Sequence, residues 1–117
     1  MILRALFALC FLYTAPIASA EPLTLSGAEI VALLSGTTLE GIHVGAEWRQ
    51  EFGVAGTTVY STRGRTDHGK WQVRDDQYCS QWPPSETWDC YAITRDGDLI
   101  SFVPVAGGEA WPARLAE

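Results

Sequence analysis

Read by the spacing of its apolar positions, the chain changes character twice. "ALFALCFLY" (Ala5 to Tyr13) is almost uninterrupted hydrophobic sequence. "LTLSGAEIVALLSG" (Leu23 to Gly36) then sets Ile30, Leu33 and Leu34 at i, i+3 and i+4, one face of a helix. From Thr37 onward the period falls to two, the signature of strands.

The helix carries its own boundaries. Ser26 and Glu29 make an S-x-x-E capping box, in which each side chain takes a backbone N–H that the first turn leaves unpaired. Gly36 is the stop signal. A helix of about two turns does not persist alone in water, so it has to lie on something.

The alternating part divides into short strands. "TTLEGIHV" is the first, with Gly41 permitting a bend or bulge. In "AEWRQEF", Trp48 and Phe52 share one face while Glu47, Arg49 and Glu51 share the other, as in a half-buried antiparallel strand. "GVAG" turns the chain into "TTVYSTR", and "DHGK" is expected to turn it again into "KWQVRD", with Trp71 and Val73 pointing inward. "QYCSQW", "TWDCYAITR" and "DLISFVPV" follow, the last two joined at Asp96-Gly97, a strong hairpin signal. "EAWPARL" closes the series, and Pro112 is expected to confine it to an edge. The pattern predicts a mainly β fold: a small antiparallel meander of seven to eight strands, as a curved sheet or closed barrel. The one short N-terminal helix plugs or covers one side.

The first apolar run belongs elsewhere. Arg4 precedes it, Pro16 ends it, and "ASA" (Ala18 to Ala20) is a small-x-small cleavage site. Residues 1–20 therefore read as a signal peptide, with an apolar run too short to span a bilayer. The expectation is export to the periplasm, loss of Cys10 with the leader, and no membrane insertion after cleavage. Residues 21–117 then form a single β-domain. The chain is acidic, with 14 acidic and 8 basic residues and a net charge of −6; loss of Arg4 makes it more so. That balance argues against nucleic acid or an anionic lipid surface as partner.

Cleavage leaves Cys79 and Cys90, an even count in an exported chain with one possible pairing. Closing so short a loop stabilises a small domain by roughly 2–3 kcal/mol. A structural zinc site would need a second ligand pair at suitable spacing, which the sequence lacks.

The chemistry of interest is aromatic. The chain has five tryptophans, and "DQYCSQWPPSETWDCY" (Asp76 to Tyr91) holds Trp82 and Trp88 just inside the cysteine pair. Either these indoles pack over the disulfide and close one end of the core, or the loop is a preformed binding edge with stiff anchors. The candidate binding residues are Trp82, Trp88, Tyr91, Trp71 and Tyr78, on an aromatic surface or barrel mouth. The expected occupant is a small apolar or glycan-like molecule, or a periplasmic protein. The alternative is an inhibitor that inserts Ser80 to Asp89 into the cleft of a lysozyme or protease. No G-x-S-x-G motif, readable carboxylate pair or assignable base for Ser80 or Ser101 is present, so a non-enzymatic role without cofactor is expected. His43 and His68 would bind metal only by converging with a carboxylate such as Asp67 or Glu47, and "DGD" (Asp96, Asp98) lacks the other ligands of a calcium loop.

Taken together, "LSGAEIVALLSGTTLEG", "GKWQV", "YCSQWP", "WDCYAI" and "DGDLISFV" resemble a group of small exported proteins of Gram-negative bacteria. The resemblance covers most of residues 21–117 and implies a periplasmic location and a compact β-fold, not an activity. Gly69-Lys70-Trp71 is similar to the Gly-x-Trp of lipocalins, here in mid-chain rather than on the first strand. A looser similarity, in size and architecture, is to the small disulfide-closed barrels that inhibit lysozymes or proteases.

Overall fold

The computed structural model describes residues 8–13 and 21–117. The expected signal peptide falls largely outside the described residues, and its described part, residues 8–13, has no regular secondary structure. The rest is a short strand, β1 (Leu23–Thr24), a helix, α1 (Gly27–Leu34), and eight further strands. These are β2 (Thr37–His43), β3 (Ala46–Phe52), β4 (Thr57–Thr62), β5 (Arg65–Arg74), β6 (Gln77–Gln81), β7 (Trp88–Asp96), β8 (Leu99–Pro104) and β9 (Trp111–Leu115).

Strands β2 to β9 form a closed antiparallel barrel. Each pairs with its successor, and β9 returns to pair with β2 through Leu39↔Leu115, Glu40↔Arg114 and Gly41↔Ala113. Closure leaves no exposed ladder within this ring, the surest protection for a small all-β chain. The short β1 lies outside the ring, against Thr94 and Arg95 of β7.

Three turn and edge expectations need correction. "EAWPARL" is not an edge strand, because β9 lies between β8 and β2 and completes the barrel. Ala116 N donates to Thr38 O, so alternation points the nitrogen of Pro112 at β2 as well. The β2–β9 ladder stops at Gly41↔Ala113, one step short of Pro112, so the missing N–H falls where no partner waits. "DHGK" is not a turn, since β5 runs straight through it. The turn is Arg63-Gly64, with φ of 51° and 74°, the two positive values of a type I′ hairpin. Finally, Asp96 pairs with Leu99, so the β7–β8 hairpin turns on Gly97-Asp98, with Gly97 first at φ 58°.

The helix plugs one end. Ile30 and Leu34 are fully buried, and Leu33 packs on the same core. Both arms of the capping box are made: Glu29 N donates to Ser26 Oγ, and Ser26 N donates to Glu29 Oε1. A third cap comes from far along the chain, where Gly27 N donates to Asp76 Oδ1 at 2.7 Å and ties the helix to the β5–β6 turn. At the other terminus Thr37 Oγ1 donates to Leu33 O. Below the waist of the barrel the centre is Phe52, which meets the rings of Trp71 and Tyr78 edge-on and stacks with Phe102. Truncating such a ring costs about 3–5 kcal/mol.

Cys79 and Cys90 are directly opposite on β6 and β7, with Cα atoms 4.1 Å apart, and they form the disulfide. Tyr78 and Tyr91, one step along, face the interior, so the disulfide lies on the outer side of the wall.

Candidate ligand site at the barrel mouth

Strand direction sorts the inward residues into two ends. Helix α1 sits beside the β5–β6 turn and fills one end. At the other end are the turns 44–45 and 63–64 and the longer connections 82–87 and 105–110. Period-two alternation places Trp48, Tyr60, Trp82, Tyr91, Phe102 and Trp111 on the inner wall at that open end, around a cup of about 340 Å³. The rings form a continuous palisade. Trp48 lies 6.0 Å from Tyr60, 6.3 Å from Trp111 and 6.5 Å from Phe102, while Tyr60 lies 6.1 Å from Trp82.

The lower part of the cup is polar and ordered by a chain of hydrogen bonds. Thr58 Oγ1 donates its single hydrogen to Glu51 O at 2.7 Å, so toward Gln50 it acts only as acceptor. That fixes the Gln50 amide: Nε2 donates to Thr58 Oγ1 at 2.9 Å and to Tyr78 Oη at 3.0 Å. Both amide hydrogens are committed, which leaves Oε1 of Gln50 as the remaining acceptor. Ser80, also buried, accepts from Trp82 Nε1 at 3.2 Å and so sets the pose of that indole. Among the described residues one buried side-chain nitrogen or oxygen has no hydrogen-bond partner, and it is Nε1 of Trp48.

Charge is kept to the rim. Arg65 and Asp67 pair at 3.5 Å between partly exposed side chains. Below them, burial pushes the phenols of Tyr78, Tyr60 and Tyr91 upward, so all three stay neutral at physiological pH; Asp89 adds to the effect at Tyr91. His43 stacks on Trp111 with ring centroids 3.4 Å apart and 10° between planes, extending the aromatic wall to the lip.

Of the residues expected to bind, Trp82, Tyr91 and Tyr78 line this cup, and Trp71 and Trp88 do not. Trp71 faces inward but at the helix end, where its Nε1 donates to Gly53 O and its ring packs on Phe52. Trp88 pairs with Gln81 and shares the outer face with Cys90. The disulfide is therefore a neighbour of the cup through the wall, not part of its lining. Trp48, Tyr60, Phe102 and Trp111 also line the cup and were not among the residues the sequence singled out. The signal that groups them is their place near the open ends of their strands, in phase with Trp82.

Elsewhere, a larger depression of about 750 Å³ crosses the outer wall over β2, β3 and β9. Glu40, Arg49, Arg63 and Arg114 line it, and the 3.5 Å Arg49–Glu40 pair is solvated. Surface pairs of that kind contribute little. His68 lies in mid-strand on β5 opposite Val59. Among the described residues no group of His, Cys, Asp and Glu could hold a metal ion, and no helix is long and apolar enough to cross a membrane. Compared with protein-family models, with curated proteins and with solved structures, the chain matches none.

Proposed function

We propose that the protein is a non-enzymatic periplasmic binding module that takes a small molecule, apolar or glycan-like, into the open mouth of its barrel. The observation that carries this reading is the cup itself: six aromatic rings around a floor that includes Gln50, Tyr78 and Ser80. A core built for stability alone has no use for a concave aromatic surface left open at one end. The disulfide suits an oxidising compartment, which supports export. Titrating the protein with apolar ring compounds, lipids, haem and cell-wall fragments, and following tryptophan fluorescence, tests the reading. Saturable quenching that Trp82→Ala abolishes supports it, and a flat response to every class removes it.

A second reading has its own support. Pro83 to Thr87 are all exposed in the β6–β7 connection, which stands at the mouth directly after the disulfide-linked strand pair. A presented, tethered loop suits insertion into the cleft of a lysozyme or protease. Adding the protein to such enzymes decides it: unchanged rates across several target classes dispose of the inhibitor.

A further inference from the structure

Resting on the ligand-site reading of the mouth, we infer that its occupant is a neutral saccharide of one or two pyranose rings. Of the two chemistries that reading allows, the open top, the polar floor and the carboxylates nearby favour the sugar over the hydrocarbon.

Size and openness set the first limit. A cup of about 340 Å³ stands at the small end of ligand pockets, which run from about 300 to 1,000 Å³, so one or two rings fit. Because the mouth is open, whatever sits there keeps one side in water. A long acyl chain would leave apolar surface wet and forfeit that part of its burial. A sugar loses nothing in this way, since its outer hydroxyls stay hydrated.

The lining sets the second limit. A pyranose ring has C–H faces that pack on aromatic rings and a perimeter of hydroxyls that need donors and acceptors. The six rings of the wall meet the first need. Among them Trp82 is held at two points before any ligand arrives: its Nε1 donates to Ser80 Oγ at 3.2 Å, and the bare Gly69 gives the ring its seat on β5.

The floor meets the second need. With both amide hydrogens given to Thr58 and Tyr78, Gln50 keeps Oε1 to accept from a hydroxyl. Burial holds the phenols of Tyr60 and Tyr91 neutral, so each hydroxyl can both donate and accept. A hydrocarbon packed on these groups would strip their water and return no partner, the costly case for buried polar atoms.

Charge narrows the class further. Asp67 lines the cup and Asp89 acts on Tyr91, while Arg65 is already paired with Asp67 at 3.5 Å. The chain as a whole carries a net charge of −6. A uronate or a sulfated sugar would be repelled on approach, so the saccharide is neutral.

Titration followed by nitrogen–proton correlation spectra tests the inference with six probes. Four are neutral disaccharides: cellobiose, maltose, lactose and N,N′-diacetylchitobiose. The others are digalacturonate, anionic and of the same size, and naphthalene, apolar. The expected result is saturable binding of at least one neutral disaccharide, lost in Trp82→Ala and tighter than that of digalacturonate or naphthalene. Tyr91→Phe and Gln50→Met should each weaken it by about three- to tenfold, the size of one lost neutral hydrogen bond, and leave any naphthalene binding unchanged. Thermal melts confirm that the variants fold. Naphthalene or digalacturonate binding as tightly as the best disaccharide, with sensitivity to Trp82→Ala, would overturn the ligand class and leave the mouth as a site. Disaccharide binding indifferent to both Tyr91→Phe and Gln50→Met, or to Trp82→Ala, would overturn the inference as well. Silence from all six probes would overturn the inference and the ligand-site reading together.

Discussion

Trp82 rests on Gly69. A Cβ added at Gly69 would stand 2.6 Å from Cε3 of that indole and 2.6 Å from the carbonyl oxygen of Gln81, so no side chain fits beneath the ring. The absence of a side chain on β5 thus lets an aromatic from the end of β6 lie against the strand and form one wall of the cup. Gly69→Ala is expected to lower stability by about 1–3 kcal/mol through overpacking and to push Trp82 off its seat. Near-ultraviolet circular dichroism and the melting temperature check this together. Unchanged indole signals in the variant would mean that Trp82 is not held there.

The disulfide acts on the outside of the same wall. Cys79→Ala with Cys90→Ala is expected to cost roughly 2–3 kcal/mol by freeing the unfolded chain. For a domain of this size that lowers Tm by roughly 10–20 °C. The cup should survive, because its lining faces the other way. A ligand that binds the intact barrel and fails on the folded double variant would contradict that separation.

Val44 is strained. It occupies the first central position of the β2–β3 turn at φ 50°, a left-handed conformation that a β-branched residue adopts at a cost. The residue is 77% exposed at the mouth, so nothing packed around it repays that cost. Val44→Asn should raise stability by about 1 kcal/mol, since asparagine enters this conformation readily. A melting temperature that stays level or falls would show that Val44 makes a compensating contact.

Three tyrosines of the barrel link stability to alkaline pH. Tyr78, Tyr60 and Tyr91 are all raised by burial, so the native state holds their protons longer than the unfolded chain does. Their contribution is complete below the ordinary tyrosine range, about pH 10, and drains away as the pH climbs through the folded values. Tyrosinate absorbance should appear later in the native protein than in denaturant, and Tyr78→Phe should shallow the alkaline loss of stability. Native and denatured titrations that coincide would place these phenols in water.

Local order was legible wherever the information is local. The capping box announces α1, and alternation through Trp48 and Phe52 gives β3 its inward face. The two cysteines name their own pairing. The turn at Val44-Gly45 was harder to read, because Val44 takes positive φ where glycine, asparagine or aspartate is usual. Pro112 misled because its effect depends on where the β2–β9 ladder stops, and that is set by the closure of the whole barrel. The long-range cap from Asp76 to Gly27 leaves no local trace at all. The cup was half visible: Trp82, Tyr91 and Tyr78 came from one segment. Trp48, Tyr60, Phe102 and Trp111 join them only once four other strands curl round.

The central claim is that binding occurs inside the mouth, and the five indole N–H signals in a nitrogen–proton correlation spectrum test it most directly. On titration with a ring compound that binds, the signals of Trp48, Trp82 and Trp111 should shift in concert, while those of Trp71, bonded to Gly53 O, and of Trp88, outside the wall, stay in place. Movement at Trp88 with the three mouth indoles still would put the contact on the outer surface and contradict the account.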